Sequence, residues 1–191
     1  MIETVARALE TLLEWVVILL MVVLTAVVVV AVLFRLAGSS FSWYDEVASV
    51  LLAWITYYGA ALAALKRKHI GFDGVLLAIP MPARLYAAYA AEAITLAFFA
   101  LMCWAGLEVL AVLEGMGLTS LPWVPVQLTQ SVIPVGAALF IICALLSFPG
   151  YLRNVAAGIS SEHQEIEEEI AHAEATFVPG VKDAAAKSGR D

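Results

Sequence analysis

The side chains able to do chemistry are few and scattered. Glu92 is the most suggestive, because it lies inside a long apolar stretch. A carboxylate is costly to hold in a bilayer, so one within a span is by default a candidate for proton or ion coupling. Glu92 lies about six residues into its block, ~9 Å along a helix. That depth also allows snorkelling to the surface, or pairing with Arg84 or Lys66. Glu14 is a further carboxylate, at the edge of another apolar block. His69, His163 and His172 all fall outside the apolar blocks, so a haem-carrying bundle has no axial histidines to use. Cys103 and Cys143 are far apart and form no CxxC pair; they read as small apolar residues in helix packing. No nucleophile–base grouping, metal-ligand spacing or glycine-rich phosphate loop is visible. These residue types predict a chain that is not an enzyme and that uses no metal or cofactor.

The elements that must carry these residues are bilayer-spanning helices. The composition is 63% hydrophobic and only 14% charged, where a soluble domain carries about a quarter charged residues. The apolar residues come in long blocks, the pattern of membrane spans. The first block, Trp15 to Phe34, has no charge and at about 1.5 Å per residue matches a ~30 Å hydrocarbon core. Its valines would favour a strand in water, but an open strand in lipid leaves backbone groups unpaired, so a helix is expected. The flank before it (Glu3, Arg7, Glu10, Glu14) is not positive and no A-x-A site follows, so it is expected to stay attached. Further spans are expected at 47–65, at 86–107 and at 128–148, the last kinked at Pro134. The fold class is therefore all-α integral membrane, with four transmembrane helices. Residues 1–14 form a cytoplasmic or interfacial segment, 15–153 the membrane domain, and 154–191 an acidic tail, helical at first and then disordered. Residues 69–84, too short to span and stopped by Pro80 and Pro82, are expected to lie in the interface. The link 108–126, rich in Gly and Pro, is expected to dip along the opposite surface.

Charge sets the orientation. One side of this arrangement takes Arg7, the middle loop with Lys66, Arg67, Lys68 and Arg84, and the C-terminal Arg153, Lys182, Lys187 and Arg190; the other has Arg35 alone. Lysine and arginine concentrate on the cytoplasmic side, so both termini and the middle loop are expected there. The net charge of −7 reflects the acidic tail and says nothing of a substrate. The cluster Lys66, Arg67, Lys68, His69 is suited to anionic phospholipid headgroups as well as to fixing topology. Trp43, Tyr44, Asp45 and Glu46 open the second span. They form either a helix start, with Ser42 as cap, acids at the positive end of the dipole and Arg35 balancing them, or a polar anchor for a neighbouring protein. Trp15, Trp43, Tyr86 and Trp123 sit where aromatic belts belong. Small residues crowd the second and third spans, from Ala53 and Gly59 to Ala93, which suits tight packing within the chain or against a partner. Few polar residues remain to line an aqueous path.

The stretch from Trp43 to Pro80 resembles the small membrane subunit (Q subunit) of tripartite ATP-independent periplasmic, or TRAP, transporters. The resemblance rests on W-Y-D-E at Trp43 to Glu46, on Trp54 and Gly59, then on Lys66, Arg67, Lys68, His69, Ile70 and Asp73 before Pro80. Span number and length extend it over roughly residues 15–153; the acidic tail lies outside it. It implies a scaffold in the bacterial inner membrane, paired with a large subunit that carries substrate and sodium in an elevator motion. A periplasmic binding protein would deliver the substrate, typically an organic acid anion, and no nucleic acid is involved. Trp43, Asp45, Glu46, Trp54 and Gly59 would then be interface or anchoring positions. Arg67, His69 and Asp73 would hold the cytoplasmic turn. The competing expectation is a stand-alone four-span proton-coupled exporter working as a homodimer, for which Glu92 would carry the proton.

Overall fold

The computed structural model describes residues 2–67, 79–158 and 170. It is helical: α1 is Ile2–Leu36, α2 Tyr44–Lys66, α3 Met81–Val112, α4 Val126–Gln130 and α5 Val132–Ala157. Among the described residues, four helices are long and apolar enough to cross a membrane, with α4 and α5 together making the fourth. The chain divides into two units, residues 1–70 with 90–149 and residues 71–89 with 150–191.

In the first unit, α1 begins well before the expected Trp15. Residues 2–14 contain no Gly or Pro, so the helix continues through them, and Leu9 and Leu13 fasten this stretch to the core. That core comprises Leu13 of α1, Ala61 and Ala64 of α2, and Phe140, Cys143 and Ala144 of α5. Phe99 of α3 stacks on Phe140 with ring centroids 3.6 Å apart. Lipid offers little drive to bring helices together, so close contact depends on small residues. Gly136 is the clearest case: a Cβ there would sit 2.7 Å from Cβ of Tyr57. Gly59, by contrast, has nothing within 4 Å of where its Cβ would be.

The fourth span is interrupted near its start, at Ser131, three residues before Pro134. Across that point, i to i−4 bonds from Ser131 N–H to Gln127 O and from Val135 N–H to Ser131 O carry the helical course. The last turn of α4 closes at Ser131, and Pro134 falls in the first turn of α5, where a missing N–H is tolerated. Pro149 instead lies inside α5, which runs on to Ala157 rather than ending near residue 148. The link after α3 begins at Leu113, since 108–112 are still helical. It folds back on itself through a bridge between Gly117 and Pro125, with Val126 N–H donating to Met116 O at 2.9 Å. Gly117 is required there because a Cβ would meet Pro122 O at 2.2 Å.

In the second unit, α3 starts at Met81, earlier than the expected residue 86, and accepts Pro82 in its first turn. Arg84 donates from Nε to Ile79 O at 3.2 Å and from Nη1 to Val155 O at 3.3 Å. Most of the expected interfacial element lies outside the described residues, as does the expected tail 154–191 except for residues 154–158, which end α5, and Ile170.

Candidate functional site

Arg67 follows the last residue of α2 with φ 53°, the left-handed conformation that ends a helix. A residue other than glycine gives up roughly 1–2 kcal/mol there, and the side chain offsets this cost. Its Nη1 donates to Glu92 Oε2 at 2.7 Å and its Nη2 to Glu92 Oε1 at 2.8 Å. Nη2 also reaches Ala144 O at 2.8 Å, and Nε donates to Ser147 Oγ at 2.8 Å. The guanidinium lies 5.7 Å from the centre of the Phe148 ring. Ser147 Oγ in turn donates to Ala64 O at 3.0 Å. One fork thus ties the end of α2 to α3 and α5, using the bidentate geometry that lysine lacks.

Glu92 is buried, and its partner is Arg67 rather than Arg84 or Lys66. Lys66 is turned the other way, onto α1, where it pairs with Glu14 and lies 3.2 Å from Glu10. Residue spacing could not choose among three cations within one loop. The left-handed turn at Arg67 decides it, by pointing successive side chains at different helices.

These contacts also fix where Glu92 lies along α2. Helix α2 has 23 residues, about 34 Å at 1.5 Å each, enough to cross the hydrocarbon core once. Glu14, Glu92 and Ser147 all meet its final turn. They form a polar layer at the C-terminal end of α2, with Glu92 level with its final turn.

A second polar layer closes the opposite end of α2. Glu46, in the first turn, accepts from the backbone N–H groups of Thr119 and Ser120, at 3.0 and 2.8 Å. Ser120 Oγ donates to Ser42 O at 3.2 Å. The helix itself starts without Ser42 as cap: Trp43 holds the cap position and contributes no side-chain bond. Arg35 does not balance the acids, since Glu46 is spent on the loop and no ion pair joins Arg35 to either acid among the described residues. Asp45 is exposed, and Trp43 packs its ring on Phe41 at 5.5 Å.

Trp54, two turns further in, donates from Nε1 to Thr129 O at 3.0 Å. It borders an apolar groove of about 210 Å³ between α2 and the loop, walled also by Val50, Leu51, Leu118 and Leu121. The polar atoms of Trp54 and Thr129 are turned onto backbone carbonyls, so the groove presents hydrocarbon. Sequence reading missed Thr119, Ser120, Thr129 and Ser147, whose partners lie more than 70 residues away in the chain. Of the sequence candidates, Arg67 and Glu92 meet each other, and Lys66 joins the same layer. Glu46 and Trp54 each brace the loop side. Lys68, His69 and Asp73 lie outside the described residues.

Four long apolar helices, held by polar layers at either end, define an all-α multi-pass membrane protein. The family model for tripartite ATP-independent periplasmic transporters, DctQ component, matches residues 24–153. This is more than half of the chain, and the chain belongs to that family of small TRAP membrane components. It is accordingly a protein of the bacterial inner membrane and a transporter component. A comparison with curated proteins gave no match.

Proposed function

We propose that this chain is the fixed scaffold of a TRAP-type secondary transporter, paired with a large elevator-type membrane subunit. Together they take up an organic acid anion, delivered by a periplasmic binding protein and driven by an ion gradient such as sodium. Both termini face the cytoplasm, as the nine-to-one bias of lysine and arginine favours. The 154–191 tail then extends into the cytoplasm. Residues 69–84 lie at that surface, with Lys68, His69 and Asp73 holding the turn among phospholipid headgroups.

The observation that carries the scaffold reading is the Arg67–Glu92 fork. The acid placed deepest in an apolar stretch is engaged by both oxygens, level with the last turn of α2. A group so bound suits fastening helices rather than cycling protons, which weighs against the homodimeric exporter. The groove beside Trp54 is likewise suited to hydrocarbon and not to an anion.

Reconstitution into liposomes tests this. Vesicles holding the chain alone should show no gradient-driven uptake of candidate organic acids, whereas the chain co-purified with its large subunit should restore it when binding protein is added. Uptake or export by the chain alone would overturn the proposal.

A further inference from the structure

The apolar groove beside Trp54 has fixed walls. Val47, Val50, Leu51 and Trp54 follow one another at helical spacing along one side of α2, and Leu121 and Leu128 line it from the loop and α4. The loop wall is braced at three points: the bridge between Gly117 and Pro125, the Glu46 bonds to Thr119 and Ser120, and the Trp54 bond to Thr129 O. The space is therefore formed before anything enters it, as ligand sites usually are. The Trp54 N–H and the Thr129 hydroxyl are turned onto carbonyls, so the walls offer hydrocarbon and no polar anchor.

Position and size choose the occupant. The groove lies ~5–15 Å from the N-terminal end of α2, a 23-residue helix long enough to cross a bilayer. Such a helix places the groove among the acyl chains of one leaflet. A helix with its side chains is about 10 Å across and rises ~5.4 Å per turn, so a single turn fills roughly 400 Å³. The groove holds about 210 Å³, half of that, and admits one extended hydrocarbon chain instead. Charge at the rim chooses the headgroup. Glu46, next to Val47, is partly exposed, and no ion pair joins it to a cation among the described residues. Asp45, Glu108 and Glu114 lie at the same end of the helices, with Arg35 as the one cation among the described residues there. This end repels an anionic headgroup and attracts an ammonium.

We infer that the groove binds one acyl chain of an aminophospholipid, with the primary ammonium of the headgroup near Glu46 at the rim. The bound chain fills the space between α2 and the loop 113–125 and helps to hold them together. The site is separate from the basic cluster at the other end of α2, whose charge suits anionic headgroups. It requires nothing of a second membrane subunit, so its failure would leave the scaffold reading untouched.

The test is native mass spectrometry of the tagged full chain, purified with whatever membrane subunit accompanies it. The sample is first equilibrated in nanodiscs holding equal phosphatidylethanolamine and phosphatidylglycerol with identical acyl chains. After detergent strips loosely held lipid, one phosphatidylethanolamine per chain is expected. It should be favoured about fivefold over phosphatidylglycerol, the worth of one charge near a membrane surface. Val50→Trp fills the groove and should lower retention about tenfold, the loss expected for two displaced methylenes. Ile94→Trp, at an exposed position of α3, should leave retention unchanged. Glu46→Gln removes the charge but keeps an acceptor for the loop, so lipid should still be held while the preference between headgroups disappears. Equal retention of the two lipids by the unaltered chain would overturn the site. Full retention in Val50→Trp, equal losses in Val50→Trp and Ile94→Trp, or an undiminished preference in Glu46→Gln would each overturn it too.

Discussion

Arg67 and Glu92 show what a single pair contributes at the end of a long apolar helix. Their side chains are 23% and 11% exposed, so removing one partner strands a charge that water reaches poorly. We expect Arg67→Ala or Glu92→Ala to cost about 3–5 kcal/mol, measured as a fall in the thermal unfolding midpoint in detergent. Arg67→Lys should recover little of the loss, because an ammonium cannot serve Glu92, Ser147 and Ala144 O together. Full stability in Arg67→Lys would refute the fork as the source of the effect. At the other layer, Glu46→Ala frees the amides of Thr119 and Ser120. Hydrogen exchange at those two positions should quicken clearly while α2 beyond its first turn stays protected. The types of these residues marked them as candidates in the sequence. Their pairing was not legible there, because a side chain's target across 25 or 73 residues depends on how the helices are laid together.

At the level of elements, hydropathy located all four spans, because in lipid a backbone can satisfy itself only as a helix or a closed barrel. It located their ends less well. Polar residues at 2–14 and proline at 82 lower hydropathy without stopping a helix, so α1 and α3 begin earlier than their apolar blocks. Pro134, which lacks an N–H, stands three residues after the interruption at Ser131 within the same span. Glycine was equally ambiguous. Gly59 belongs to the sequence pattern but faces open space, whereas Gly136 is where α2 and α5 touch. Gly136→Leu should wedge these helices apart and destabilise the bundle by ~1–3 kcal/mol. Gly59→Leu should leave the isolated chain near its original midpoint. If the two substitutions cost the same, helix approach at Gly136 does not organise the core.

Taken whole, the molecule holds few polar groups within its spans, and Thr25, Trp54, Thr56, Glu92, Thr95 and Ser147 among them are bonded to a polar side chain or to backbone. Its outward surface is dominated by large apolar side chains, most heavily on α1 and α3. Such a body suits a static partner for a moving subunit better than a transport path of its own. Family membership and four spans were both accessible from the sequence, through the ordered set from Trp43 to Pro80 and the apolar blocks. The faces that pack within the chain were not, because every apolar block looks alike until packing has used up one side of it. The most direct test of the scaffold account is affinity purification of the tagged chain from membranes in mild detergent, with identification and quantification of what accompanies it. The account predicts one large multi-span membrane protein in near-equal amount. Recovery of the chain by itself, as a stable homodimer competent in transport, would contradict it.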